Sequence, residues 1–174
     1  TAQESKSLGA ASVIQRHAME HLQPSSFSDL LELLPGGRSK DPRLSTPNQI
    51  RLREAIPPSN SQYATSSLGT SFVIDGAPIS TNANMQQLKG AWETLINARE
   101  NVNEGVDMRT ISTDDIEKVE IVRGIPSVEY GDLTSGLVKI TRRRGGNNLS
   151  ARFKADMNSK LFYVGKGFEN TAKR

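Results

Sequence analysis

The chain has 174 residues, enough for one ordinary domain and an appendage. With 35% hydrophobic and 5% aromatic residues and a mean hydropathy of −0.50, it builds a modest core, and so few aromatics argue against an RNA-stacking surface. No apolar run approaches the roughly 20 residues of a membrane helix, and zero cysteines exclude disulfides and thiolate metal sites. The net charge of +3 hides a step: residues 142–174 hold nine Lys/Arg and two Asp/Glu, residues 1–141 thirteen and seventeen. A nucleic-acid footprint is a basic face or helix stripe. A step at one boundary marks a different kind of segment instead, so no nucleic-acid partner is expected.

Along the chain, Val13 and Ile14 mark a strand within 11–15, and His17 to Leu22 reads as a helical turn. "QPSSFSDLLELLPGG" predicts the clearest helix. Ser25 or Ser26 caps it, Asp29 suits the dipole of the first turn, and Phe27, Leu30, Leu31 and Leu34 make one apolar face. Pro35-Gly36-Gly37 ends it. Polar residues 38–48 form a loop. "QIRLREA" alternates as a half-buried strand, with Ile50 and Leu52 on one face. Residues 57–71 are a second loop, and "SFVIDGAPIS" is a buried strand running into an Asp-Gly turn. Residues 81–106 carry a weak helix around Trp92, and the caps and acids of "STDDIEKV" predict a helix start. "EIVRG" then reads as a strand, "IPSVEYGDLTS" as a helical turn, and "GLVKITRR" as another strand. In the tail, Leu149, Ala151, Phe153, Ala155, Met157, Leu161 and Tyr163 share one parity, and Ser150, Arg152, Lys154, Asp156, Asn158 and Lys160 the other. That predicts one long two-faced strand with the alternation of a transmembrane β-strand, followed by an unstructured end at 170–174.

Four motifs bear on chemistry. "HAMEH" fits H-x-x-E-H, in which His17 and His21 would hold zinc and Glu20 act as base. The plain alternative is a polar helix surface. The glycines of "RGIPSVEYGDLTSG" lack phosphate-loop spacing, and Pro126 removes an N–H that a phosphate would use, so they indicate turns. Asp75 in "DGAP" reads as a turn residue bonding its own backbone. Glu120 and Arg123 flank Val122 and Ile121, where both need partners. The plain alternative is a local ion pair worth at most about 1 kcal/mol.

Taken in order, "LLELLPGG", "IRLREA", "FVIDGAPIS" and "IEKVEIVRGIPSVEYGDLTSGLVKITRR" resemble the plug domain of TonB-dependent outer-membrane receptors over residues 11–143. The last stretch is the most specific; it resembles the family's "VEVLRGP" strand, Tyr-Gly helix and "GGVINIITK" strand. Departures are Ile125 between Gly124 and Pro126, Ser135 in place of a glycine before Gly136, and an insertion at 84–106. "GVDMRTI" at 105–111 resembles the glycan-importing branch, which commonly lacks the Arg123-Gly124 pair.

The resemblance implies an α+β fold, a small mixed sheet of about four strands with short helices, and a C-terminal strand belonging to a β-barrel. The domains would be a linker at 1–10 following an N-terminal TonB box, of which Thr1-Ala2 is a remnant, the plug at 11–143, and the start of the barrel at 144–174. The partners implied are the chain's own barrel of about 22 strands, the TonB energy-transducing complex, and an imported siderophore, cobalamin, glycan or peptide. The place is the outer membrane of a Gram-negative bacterium, and neither catalysis nor a cofactor is implied. Glu120 and Arg123 match the charged pair that meets the barrel wall. Asp75, Gly76, Gly124, Tyr130, Gly131 and Gly136 match the motif turns, and Thr81, Asn82 and Asn84 would lie on an apical loop facing the ligand. Two other classes remain open: a zinc peptidase built on His17, Glu20 and His21, and a soluble periplasmic binding or signalling module. In the module the tail would pack into the domain's own core. In a plug it would be disordered or paired with another copy through its bare edge.

Overall fold

The computed structural model describes residues 3–4, 11–35, 48–50, 52, 69–80, 105–123, 128–131, 135–144, 149–155 and 160–168. The elements are β1 (Gln3–Glu4), β2 (Ala11–Gln15), helix α1 (Arg16–Leu22), 3-10 helix η1 (Phe27–Leu33), β3 (Thr70–Ile74), β4 (Ala77–Pro78), 3-10 helix η2 (Met108–Thr110), β5 (Ile116–Val122), β6 (Gly136–Arg142), β7 (Leu149–Ala155) and β8 (Lys160–Lys166). The first six strands form one sheet in the order β1-β2-β5-β6-β3-β4. β3 and β6 run parallel and the other neighbours antiparallel, so the sheet is mixed. The expected four strands are its centre, β2, β5, β6 and β3, and a two-residue strand borders each edge. β1 already pairs with β2 inside the segment that the sequence reading gives to a linker.

Strand alternation sets the core. Ile14, Phe72, Val119, Ile121, Val138 and Ile140 project from one face onto Met19, Phe27, Leu30, Leu31, Leu34, Ile50 and Met108. Phe27 and Phe72 meet edge to face at 6.4 Å between ring centroids, an arrangement worth about 0.5–1.5 kcal/mol beyond burial. The predicted helix forms as a 3-10 run. Its period of three stacks Phe27, Leu30 and Leu33 in one row and Ser28, Leu31 and Leu34 in the next, and both rows turn toward the sheet. The expected cap is present: Ser26 Oγ accepts from Ser28 N, and Asp29 Oδ2 accepts from Ser25 N and Ser26 N at 2.8 and 2.9 Å.

Three expectations change. "STDDIEKV" does not start a helix. Ser112 Oγ accepts from Asp114 N, and β5 begins at Ile116. A bulge at Glu117 lets Ile116, Val119 and Ile121 all face the core, a pattern no plain period of two predicts. At 48–52, Ile50 is buried and Leu52 packs on the core as expected, but the described backbone there is not a strand: Met108 N donates to Asn48 O at 2.7 Å. The tail is not one strand. β7 and β8 pair antiparallel in a separate two-stranded sheet, with Phe153 opposite Phe162 and Arg152 opposite Tyr163. Leu161 and Tyr163 therefore share the face of Arg152 and Lys154, not that of Phe153. Of the helix expected in 81–106 only 105–106 are described, and they are not helical; of the loop expected at 57–71, Thr70 and Ser71 belong to β3; Gly124 and residues 38–47 and 57–68 lie outside the described residues.

Candidate functional site

The unit from β5 to β6 carries most of the predicted site. Glu120 sits between Val119 and Ile121, which are fully buried on the core face, so it points to the opposite face. There it pairs in register with Lys139. Lys139 Nζ lies 4.7 Å from the Tyr130 ring centroid. A side-chain hydrogen bond to Tyr130 raises the Lys139 ammonium above its ordinary value against partial burial, and the charges of Glu120 and Glu129 add to it. Arg123, one residue past β5, turns the other way: its Nη1 donates to Pro35 O at 3.0 Å, at the end of η1. Glu120 and Arg123 thus leave the strand on opposite sides, and the local ion pair between them does not form. Glu120 joins a polar cluster with Lys139 and Tyr130, whereas Arg123 ties β5 to "LLP".

The glycines separate into two kinds. Gly136 opens β6 with φ +149°, and a Cβ there would stand 2.5 Å from Val122 O and 2.8 Å from Leu52 Cδ1. Neither the conformation nor the space admits another residue. Gly131 has open space around its Cα and an ordinary φ, so the turn reading does not require a glycine there.

Asp75 and Gly76 form the predicted turn, with φ +50° and +87°. Positive φ at both central residues is what a two-residue hairpin of this twist demands. Asp75 does not bond its own backbone. Its Oδ1 accepts from Arg142 N at 2.9 Å and its Oδ2 from Arg142 Nε at 2.7 Å. The Arg142 backbone N–H, then its guanidinium, holds the Asp75 carboxyl below the usual carboxylate range, and the same pair raises Arg142. The first of the three arginines is therefore a structural partner of the turn.

Sequence reasoning missed Asp107. Its Oδ1 accepts from Asn48 N and Arg109 N, at 3.0 and 3.1 Å, and its Oδ2 from Arg109 Nε at 2.7 Å. Burial pushes its pKa up, but the Arg109 side chain and the two backbone donors outweigh that and lower it. An Asp just before a 3-10 turn was the available signal. Thr81, Asn82 and Asn84 lie outside the described residues.

His17 and His21 lie one turn apart on the exposed face of α1, with Nε2 atoms 3.3 Å apart. Glu20 is bound to Arg16 at 2.8 Å. Among the described residues, no cluster of three or more His, Cys, Asp or Glu could hold a metal ion.

The hairpin presents two different faces. Leu149, Phe153, Phe162 and Val164 are 68%, 70%, 75% and 53% exposed, so this face, apolar but for Lys160 and Lys166 at its two ends, stands open among the described residues. The opposite face carries Ser150, Arg152, Lys154, Leu161 and Tyr163 and turns toward the domain. Arg152 reaches Asp114 and Pro24 O, and Lys154 reaches Gln23 O. The described tail residues are thus not part of the core cluster. They pair with one another and dock by their polar side.

Together these features define a small α+β domain followed by a two-faced β-hairpin. The family model of the TonB-dependent receptor plug domain matches residues 3–138, and the chain belongs to that family. Among solved structures, the alcaligin outer-membrane receptor FauA from Bordetella pertussis is similar at 18% identity and a TM-score of 0.41, over 85% of this chain and 20% of that one. FpvA from P. aeruginosa, solved with heterologous pyoverdines, is similar at 13% identity and a TM-score of 0.41, over 85% of this chain and 16% of that one. The chain therefore spans about a fifth or less of the length of these receptors. No curated relative matches it.

Proposed function

We propose that the chain is the gating plug of an outer-membrane receptor that imports a nutrient, occluding the barrel and shifting when the TonB complex pulls. The family match over residues 3–138 carries this reading. The two-faced hairpin supports it as the first two strands of the barrel wall, with an apolar face to lipid and a polar face to the plug. The proposed partners are the chain's own barrel, the TonB complex and an imported siderophore, cobalamin, glycan or peptide. Thr81, Asn82 and Asn84 are proposed to face that ligand. Glu120 and Arg123 are proposed to meet the barrel wall. Because they leave β5 on opposite sides, they would act as two separate contacts.

Deleting residues 11–143 from the full-length receptor tests the reading. An unoccluded barrel should admit vancomycin, and the cells should become sensitive to it. Unchanged sensitivity, with the shortened receptor present in the outer membrane, would contradict a plug. Glu120→Gln and Arg123→Gln should alter gating while leaving the domain folded; unfolding would assign both residues to fold maintenance.

A further inference from the structure

The domain gathers several acceptors around one guanidinium, that of Arg152. Gln23, at φ +48°, closes α1 through its N–H to Met19 O and leads directly into Pro24. The carbonyls of Gln23 and Pro24 stand beside the turn of Thr113 and Asp114. From the other side, Arg16 Nη1 donates to Asp114 O and Ile116 O, both at 3.1 Å, so the turn backbone is held in place. Into this corner β7 inserts Arg152. Its Nε lies 2.7 Å from Asp114 Oδ1, an ion pair without a well-aligned N–H. Its Nη2 lies 3.1 Å from Asp114 Oδ2, 3.2 Å from Pro24 O and 3.5 Å from Thr113 Oγ1. Lys154, two residues on and on the same face, donates to Gln23 O. The Asp114 side chain is only 8% exposed and that of Arg152 29%.

The other end of β5 is built differently. About 20 Å away at strand rise, Arg123 makes an exposed bond to one carbonyl, and Val128 in the connection to β6 is fully exposed. Breaking the first contact strands a nearly buried carboxylate without its counter-charge, which is costly. Breaking the second exchanges one exposed hydrogen bond for water, which costs little. Of these two side-chain contacts, the one at Arg123 is therefore the cheaper to break.

We propose that the Asp114 corner is a fixed joint, at which Arg152 and Lys154 keep the plug bound to the first barrel hairpin while the far ends of β5 and β6 move. The inference rests on the plug reading above and adds to it which contacts stay closed.

The chain itself has no cysteine, so in a full-length receptor with any cysteines outside it changed to serine, a single introduced cysteine is the sole thiol. Thr113→Cys places a thiol beneath the joint, and Val128→Cys places one at the mobile end. Each is reacted with a membrane-impermeant maleimide in growing cells and in cells treated with a proton uncoupler. The expected result is slow labelling of Thr113→Cys at the same rate in both states, and a several-fold difference between states for Val128→Cys. Adding Arg152→Gln should speed labelling of Thr113→Cys several-fold in both states. Faster labelling of Thr113→Cys in growing cells, or no effect of Arg152→Gln, would overturn the joint and leave the plug reading standing. No difference between states at either thiol would instead overturn the plug reading, and the joint with it.

Discussion

The plug sheet and the C-terminal hairpin obey the same alternation and use it in opposite ways. In the sheet, Phe72, Val138 and Ile121 send their apolar side chains into the core, and even the second face buries Val73 and Leu137. In the hairpin, the apolar side chains of Phe153 and Phe162 are the exposed ones, and the charged Arg152 is the one held inside. Apolar parity alone therefore does not locate a core. What decides is which face finds polar partners within the chain, and in the hairpin that is the face of Arg152 and Lys154.

The sharpest way to break this contrast is to truncate the same residue type in both regions. Phe72→Ala should lower the stability of the domain by about 3–5 kcal/mol, read from urea unfolding. Phe153→Ala should change it by no more than about 0.5 kcal/mol. Equal costs would mean that the hairpin face is a core face.

The glycines offer a second pair. Gly136→Ala should cost about 3 kcal/mol or more, since strained φ and a backbone clash combine. Gly131→Ala should be near neutral, within about 0.5 kcal/mol. Next in size is the capping box of η1: Asp29→Ala leaves the Ser25 and Ser26 amides without their acceptor and should cost about 1 kcal/mol.

The smallest effect is on pH dependence. Asp75 and Asp107 both titrate below the ordinary carboxylate value in the folded state. Their contribution is complete above about pH 4, the unfolded value, and fades as pH falls through the lower folded value. Asp107→Asn should flatten the acid limb of the stability profile, read from urea unfolding at a series of pH values.

Much of the sheet was legible in the sequence because its signals are local. The Asp75-Gly76 turn, β3, the Ser26/Asp29 cap and the 27/30/31/34 apolar rows each depend on neighbours a few residues apart. Three features were not, and each has a physical reason. The acids before Ile116 resemble a helix start, but the β-branched run behind them pairs with β2 and β6, and tertiary pairing overrode the local cap signal. The single tail strand extended one parity through Asp156-Met157-Asn158-Ser159, although Asp, Asn and Ser are turn formers. Counting parity afresh after them would have put Phe162 with Phe153. The Asp114–Arg152 pair spans 38 positions, and no spacing rule connects such a pair. At the candidate site, Gly136 and Asp75 stood out for their residue type, whereas the opposite directions of Glu120 and Arg123, three residues apart, were implicit in the expected strand "EIVRG" and became visible in the separate partners of the two side chains.

The central claim is that the hairpin is wall and the sheet is plug. Nitroxides placed singly along 149–166 of the full-length receptor in lipid bilayers test it through relaxation by dissolved oxygen, which concentrates among acyl chains. The account predicts high oxygen accessibility at 151, 153, 162 and 164, low accessibility at 150, 152, 161 and 163, and low accessibility at 72 and 138 in the sheet. The opposite phase in the hairpin, or no alternation at all, would contradict it.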